Sequence, residues 1–335
     1  MPEALKKLLA ALSDGKFHTW TELSAQLELQ QPALLGLLTQ LSLWDVEVAI
    51  DPEKGCQLLQ ELKVLEKEKI LACLKQNPAL SAQHIEIWDI LPSTNDYLSH
   101  TIEKRSKKNY ACFAEKQTKG KGRQGRSWVS PFAKNIYLSL RWHFSQNTSE
   151  LAGLSLAVAI AIIEMLKNFG ITKSLGIKWP NDVFCEGKKL AGILVELGGE
   201  AKSPCYAIIG IGLNIYLSEA NAANISQPWT CVQKLHPDPV DRNELAGRLL
   251  NELTETLLLF QTQGFEPFLA RWQLLDLSLG KKVSLITPQL SLQGIGRGVN
   301  QQGHFLLEVE PGLIKSFSNA EVSLRLSTST ESSLS

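Results

Sequence analysis

The sequence predicts an α+β chain in three parts: a small helical unit, a central region mixing strands and helices, and an all-strand end. Three observations carry this. Leucines recur at helical spacing through the first forty residues. From about residue 84 to 272, strand-like runs are interleaved with two long helices, and several strands follow one another directly, which excludes strict βαβ alternation. Beyond about 277 only short strand-like runs remain.

In the first part, Leu5, Leu8, Leu9 and Leu12 mark one helix, which Asp14-Gly15 ends. TELSAQLEL and QPALLGLLTQL give two more around a tight turn, with Pro32 in the first turn of the last. Extended pieces over 46–50 and 55–59 flank an EKG turn. Three helices and a β-wing over 1–62 describe a winged helix-turn-helix, although a plain small helical domain has the same pattern. ELKVLEKEKILACLKQ (61–76) predicts a connecting helix closed by Asn77-Pro78, so that 63–83 forms helix and linker. The central region, 84–274, offers the strands IWDI, YACFAEK, IYLSLRW, LGIKWP, KLAGILVEL and YAIIGIGLNIYL, with helices near 151–169 and 241–263. KVSLIT, LSLQGIGRGV, HFLLEVE, LIKSFS and EVSLRL suit a small β-barrel over 275–326, and STSTESSLS (327–335) a disordered tail.

The 34 basic and 34 acidic residues cancel, so no global field argues for nucleic acid or membrane. Six cysteines without CxxC and six histidines without ligand spacing predict reduced thiols, no metal held by protein motifs and a cytoplasmic address. An acid at position 3 and no long apolar core argue against a signal peptide. The longest apolar run, 151–163, is too short to span a bilayer and reads as a buried helix.

Against that neutral background stands KGKGRQGRSWVS (119–130), with four cations and three glycines in positions 119–126. Gly120, Gly122 and Gly125 satisfy GxGxxG, and 120–127 is one residue short of a P-loop. Both motifs deliver phosphate to the N-terminus of a helix. Here SWVSPF and a strand-like run follow, so context excludes both. A flexible cationic loop between strands remains, suited to phosphate or carboxylate, although a solvated turn has the same composition.

Four further stretches stand out: PSTND (92–96), KWPND (178–182), KLAGILVE (189–196) and GIGLN (210–214). Small polar groups opening a helix are ordinary caps. A glycine inside an apolar strand marks a bulge or a closely approaching ligand. Together with GKGRQGRSWVSP, in this order and at these spacings, they resemble the biotin protein ligases. With a helix-turn-helix in front and a small barrel behind, the resemblance is to the bacterial form that is both ligase and biotin-operon repressor, and it covers about residues 5–325.

The resemblance implies a central domain of the biotin/lipoate ligase type, with ATP and Mg²⁺ as cofactors, biotin as substrate and biotinyl-5′-AMP as intermediate and corepressor. It further implies transfer of biotin to a lysine of the biotin carboxyl carrier protein of acetyl-CoA carboxylase, a homodimer, and biotin-operator DNA as partner. Carried over residue by residue, Ser93, Thr94, Asn95 and Gln117 meet the ureido head of biotin, while Lys121, Gly122, Arg123, Lys189 and Gly192 line its tail and the adenylate. Arg123, Lys189 and Lys178 serve catalysis, with Arg123 facing the reacting carboxyl and phosphate and Lys189 neutralising charge there. Arg126, Trp128, Asn181 and Asn214 contact ATP, and Asp182 is a candidate base for the acceptor lysine. Lys121 and Gln124 depart from the arginines usual in relatives.

Lipoate ligases share the general architecture, but their arginine-serine-glycine-glycine-glycine stretch does not occur here. A non-catalytic, biotin-sensing transcriptional regulator is the alternative from another class; the lysines at 178 and 189 argue against it. In the helix-turn-helix, Gln31, Thr39 and Gln40 are the residues to meet DNA. No Lys or Arg lies between Phe17 and Glu53, whereas six acids do, which predicts weak DNA binding.

Overall fold

The structure, a computed structural model, describes residues 2–44, 46–59, 62–75, 79–102, 106–199, 205–286, 291–318 and 323–326. At the N-terminus, α1 (Glu3–Leu12) buries Leu5, Leu8, Leu9 and Leu12 along one stripe. After β1 (His18–Thr19), a capping box opens α2 (Trp20–Leu27): Glu22 N–H donates to the Thr19 hydroxyl and Thr19 N–H to the Glu22 carboxylate. In α3 (Gln31–Leu43), Pro32 occupies the first turn, and Leu34, Leu38 and Leu41 are buried. The hairpin β2 (Val48–Asp51) and β3 (Gly55–Leu58) completes a three-stranded sheet of order β1-β3-β2. This unit's core also takes Phe132 and Ala133 from the central region, with Trp44 4.8 Å from Phe132 between ring centroids.

The connecting helix expected over 61–76 is much shorter: α4 covers Lys67–Ala72, and residues 62–66 are not helical. Tertiary hydrogen bonds outcompete helix propensity there. Leu65 N–H donates to Glu115, the Lys63 and Val64 carbonyls accept from Arg242 and Asn243, and Glu66 N–H donates to Asn243.

The central region runs β4 (Ile85–Leu91), α5 (Thr94–Thr101), β5 (Tyr110–Gln117), β6 (Ile136–Phe144), α6 (Leu154–Asn168), β7 (Leu175–Lys178), β8 (Asp182–Cys185), β9 (Lys188–Gly198), β10 (Cys205–Leu213), α7 (Val232–Leu235), α8 (Arg242–Gln263) and α9 (Leu269–Leu275). Its seven strands form one sheet, β4-β5-β6-β10-β9-β8-β7. β4 and β5 run parallel and the other neighbours antiparallel. The short strand β8 is not foreseen in the sequence. Alternation divides the two faces. Ala111, Phe113, Leu138, Ile209 and Ile211 face the main core with α6 and α8, while Cys112, Ala114 and Ile208 face α5. The stretch Thr148–Asn168 is long and apolar enough to cross a bilayer, yet α6 buries most of its residues inside this core, as a central helix does.

β11 (Lys282–Ile286), β12 (Ser291–Val299), β13 (Phe305–Glu310), β14 (Leu313–Phe317) and β15 (Ser323–Leu326) form a five-stranded sheet of order β14-β13-β12-β11-β15. Among the described residues no pairing joins β14 to β15, so an open sheet stands where the sequence suggests a closed barrel. The reason lies in what covers it. Val283, Leu285, Val299, Phe305 and Leu307 bury against the central core, and Phe305 lies 5.3 Å from the Trp179 ring, so the sheet need not close on itself. The tail expected over 327–335 lies outside the described residues.

Candidate active site

A cleft opens on the α5 face of the central sheet, where the strands carry small residues. Gly192 and Gly212 are cross-strand partners on β9 and β10, and the Trp128 indole lies over both. A β-carbon on Gly212 would sit 2.3 Å from the ring, and one on Gly192 2.8 Å from it. Two residues along β10, Gly210 admits Asn95, whose Oδ1 would be 2.4 Å from an added β-carbon. Glycines at 192, 210 and 212 are therefore needed for close approach from above.

The cationic loop itself is a small hairpin. Trp128 N–H donates to the Gly120 carbonyl (2.8 Å) and Gly122 N–H to that of Arg126 (2.7 Å). Its tip turns through left-handed Gln124 and Gly125, φ 56° and 71°. No α-helix begins inside the glycine run, as the exclusion of both phosphate motifs requires.

A polar cradle lines part of the cleft. Ser93 caps α5, and Ser93, Thr94 and Asn95 are all buried. Gln117 Oε1 accepts from Thr94 N–H (2.9 Å) and its Nε2 donates to Ser130 (3.3 Å). Cations line the same cleft. Lys189 Nζ lies 2.8 Å from Asp182 Oδ1 and 5.4 Å from the Trp128 ring centroid, with both side chains mostly shielded. Arg123 Nη1 donates to Asn181 Oδ1 (3.4 Å), and Asn181 Nδ2 donates in turn to the Ile193 carbonyl (2.6 Å). Burial pushes the Arg123 guanidinium below its usual range, opposed by the nearby Asp182 carboxylate. The Lys121 ammonium is raised, chiefly by its hydrogen bond to Asp96 (2.5 Å). Arg126 donates to Gln124 (3.0 Å). The buried Trp128 Nε1, packed over Gly212, has no hydrogen-bond partner among the described residues.

Of the residues named from sequence, the cleft gathers Ser93, Thr94, Asn95, Gln117, Lys121, Gly122, Arg123, Arg126, Trp128, Asn181, Asp182, Lys189 and Gly192. It does not gather Lys178 or Asn214. Lys178 ends the outermost strand, β7, with its Nζ 5.7 Å from the Phe184 ring. Buried Asn214 donates to the Thr230 carbonyl (3.1 Å) and accepts from Val232 N–H (3.0 Å), tying down the loop that flanks Lys189. Gly210, Gly212 and Gln227 line the cleft without having been named. The i, i+2 glycines of GIGLN were the available signal. Among the described residues, no three His, Cys, Asp or Glu side chains are grouped to hold a metal ion.

Fold and site together define an α+β protein whose open mixed sheet carries a cleft lined by cations and by a polar cradle. The model of the biotin/lipoate A/B protein ligase family matches residues 88–214, which span the cradle, the cationic loop and most of the cleft floor. The bifunctional ligase/repressor BirA of Escherichia coli is 37% identical over 319 residues, 95% of this chain and 96% of that protein. The biotin–[acetyl-CoA-carboxylase] ligase of Mycobacterium tuberculosis is 31% identical over 65% of this chain and 80% of its own. Among solved structures, the Aquifex aeolicus biotin protein ligase in complex with biotin and ATP superposes with a TM-score of 0.61, at 27% identity, over 73% of this chain and all of that one. The chain belongs to the biotin/lipoate A/B protein ligase family.

Proposed function

We propose that the cleft joins the carboxylate of biotin to the α-phosphate of ATP and passes the biotinyl group to a lysine of the biotin carboxyl carrier protein. One observation carries this reading: buried uncharged polar groups and a set of cations line a single cleft. Ser93, Thr94, Asn95 and Gln117 offer buried hydroxyls and amides to a neutral urea. Lys121, Arg123, Arg126 and Lys189 line the same cleft and offer positive charge to a carboxylate and a phosphate. A biotin carboxylate oxygen attacks the α-phosphorus, and pyrophosphate leaves carrying the electron pair of the broken P–O bond. Two anions approach each other, so fixed positive charge lowers the barrier and no protein nucleophile is required. In the second step the acceptor amine displaces AMP from the acyl carbon. Mg²⁺ would accompany the ATP phosphates and offset part of their charge. Asp182 is the candidate base for the acceptor lysine; the same carboxylate also positions Lys189. Biotin-dependent exchange of labelled pyrophosphate into ATP is the expected result. Its absence from folded protein would leave the cleft as a sensor of biotin without catalysis.

The three helices and three-stranded sheet of residues 3–58 support a winged helix-turn-helix, and relatives are named as repressors. Its α3 is poorly equipped for DNA. Gln31 donates its amide to the Pro52 carbonyl (2.9 Å), and the Thr39 hydroxyl donates to the Leu35 carbonyl (2.9 Å). Gln40 is exposed, and no cation stands between Lys16 and Lys54. A protein neutralising six phosphates shows a log–log salt slope near −5 by the counterion-release rule, roughly −0.9 per phosphate. For adenylate-loaded protein on its own biotin-operon upstream DNA, we expect weak binding with a slope shallower than about −3. Nanomolar, steeply salt-dependent and sequence-specific binding would overturn this.

A further inference from the structure

The hydrogen bonds behind the cradle fix its polarity, through two residues that the sequence motifs do not single out as ligand contacts. Ser139, fully buried at the middle of β6, is the cross-strand partner of Gly210 and lies beneath the first turn of α5. Its Oγ is 2.6 Å from Thr94 Oγ1 and 2.5 Å from Asn95 Oδ1. On β9, the exposed Glu196 accepts from Asn95 Nδ2 at 2.6 Å. A carboxylate oxygen only accepts, so the nitrogen side of the Asn95 amide must face Glu196 and its oxygen must face Ser139. That oxygen also only accepts, so it takes the single Ser139 proton. Ser139 Oγ then meets Thr94 as an acceptor, and the Thr94 proton points to Ser139. The competing acceptor, Gln117 Oε1, lies farther off at 3.2 Å and already takes Thr94 N–H.

A second chain closes from the other side. Ser130 donates to the Trp128 carbonyl (3.0 Å) and accepts from Gln117 Nε2, which turns Gln117 Oε1 toward Thr94. The Thr94 hydroxyl therefore faces the cleft with a lone pair and no proton.

We propose that Ser139 and Glu196 are positioning residues that make Thr94 an acceptor-only contact, so that the cradle demands an N–H donor from its ligand. The inference rests on the reading of the cleft as a biotin site. There the donor is a ring N–H of the urea. A ligand of the same shape with a ring oxygen in that place sets two lone pairs against each other, and the relay leaves Thr94 no proton with which to adapt.

The test is calorimetric binding of biotin and of its two cyclic-carbamate analogues, each with one ring N–H replaced by oxygen, to the full chain and to Ser139→Ala and Glu196→Gln. In the unaltered protein one carbamate should bind at least about a hundredfold more weakly than biotin, the other less so. In Ser139→Ala the Thr94 hydroxyl regains freedom to donate. Biotin should lose about tenfold in affinity, and discrimination against that carbamate should fall by at least about tenfold. Glu196→Gln, an exposed change remote from Thr94, should reduce the same discrimination in a protein that folds normally, and so carries the test should Ser139→Ala be poorly folded. Equal weakening of biotin and carbamate in both variants, with the ratio unchanged, would show that Ser139 only packs. That result overturns the relay and leaves the biotin reading intact. Failure of the unaltered protein to bind biotin would overturn both.

Discussion

Lys189→Ala should lower biotin-dependent pyrophosphate exchange by roughly 10²- to 10³-fold, the range seen when one preorganised transition-state contact is lost. Lys189 is the second residue of β9, its backbone held by the 228–230 loop through Lys189 N–H to the Pro228 carbonyl and Thr230 N–H to its own, each 2.9 Å. Its ammonium is aimed at Asp182 and largely withdrawn from water. Truncation removes a cation from the proposed anion site, and it also leaves the Asp182 carboxylate without its ion-pair partner where the two substrate anions would approach. The double variant Lys189→Ala/Asp182→Asn should therefore recover part of the loss, because the stranded charge goes with it. Melting temperature should change little, since neither side chain belongs to the apolar core. Were Lys189 an ordinary strand-edge lysine that guards against aggregation, the single variant would retain full exchange activity.

The largest effect on stability is expected from Arg242→Ala. Arg242 and Glu115 form an ion pair at 2.6 Å with side chains only 2% and 1% exposed. Arg242 also donates to the carbonyls of Lys63 (2.8 Å) and Asn135 (2.8 Å), and Glu115 accepts from Leu65 N–H. Removing one partner of a buried pair costs about 3–5 kcal/mol, because the remaining charge is stranded. For a chain of this size that is a fall on the order of 10 °C in melting temperature. The knot also holds the 62–66 linker, so limited proteolysis should cut there sooner in the variant. A melting curve within about 2 °C of the unaltered protein would show that water replaces the guanidinium at little cost.

Most of the site was legible because its chemistry and its local geometry coincide in sequence. Glycines within strands, a run of cations between strands and small polar groups before a helix each have a local physical cause, and folding brings them to one cleft. What stayed hidden depends on partners distant in sequence. IYLSLRW reads as a strand, but nothing in it says that Ser139 will meet Thr94 and Asn95 some 45 positions away. The linker reads as a helix because its hydrogen bonds to Glu115, Arg242 and Asn243 are invisible in a local window. Lys178 follows its motif faithfully yet stands on the outermost strand. The C-terminal strands alternate as in a barrel, and only the apolar face offered by the central core explains why they stay open. Leu34 and Leu38 of α3 lie wholly inside their own unit.

The most direct test is isolation of the intermediate. The protein is incubated with biotin, ATP and Mg²⁺, separated rapidly from free small molecules, and its bound ligand identified by mass spectrometry. Biotinyl-5′-AMP retained by the protein, and discharged when a carrier-protein lysine is added, is the expected result. Recovery of biotin alone, with ATP unconsumed, would contradict the claim that one cleft brings the two anions together.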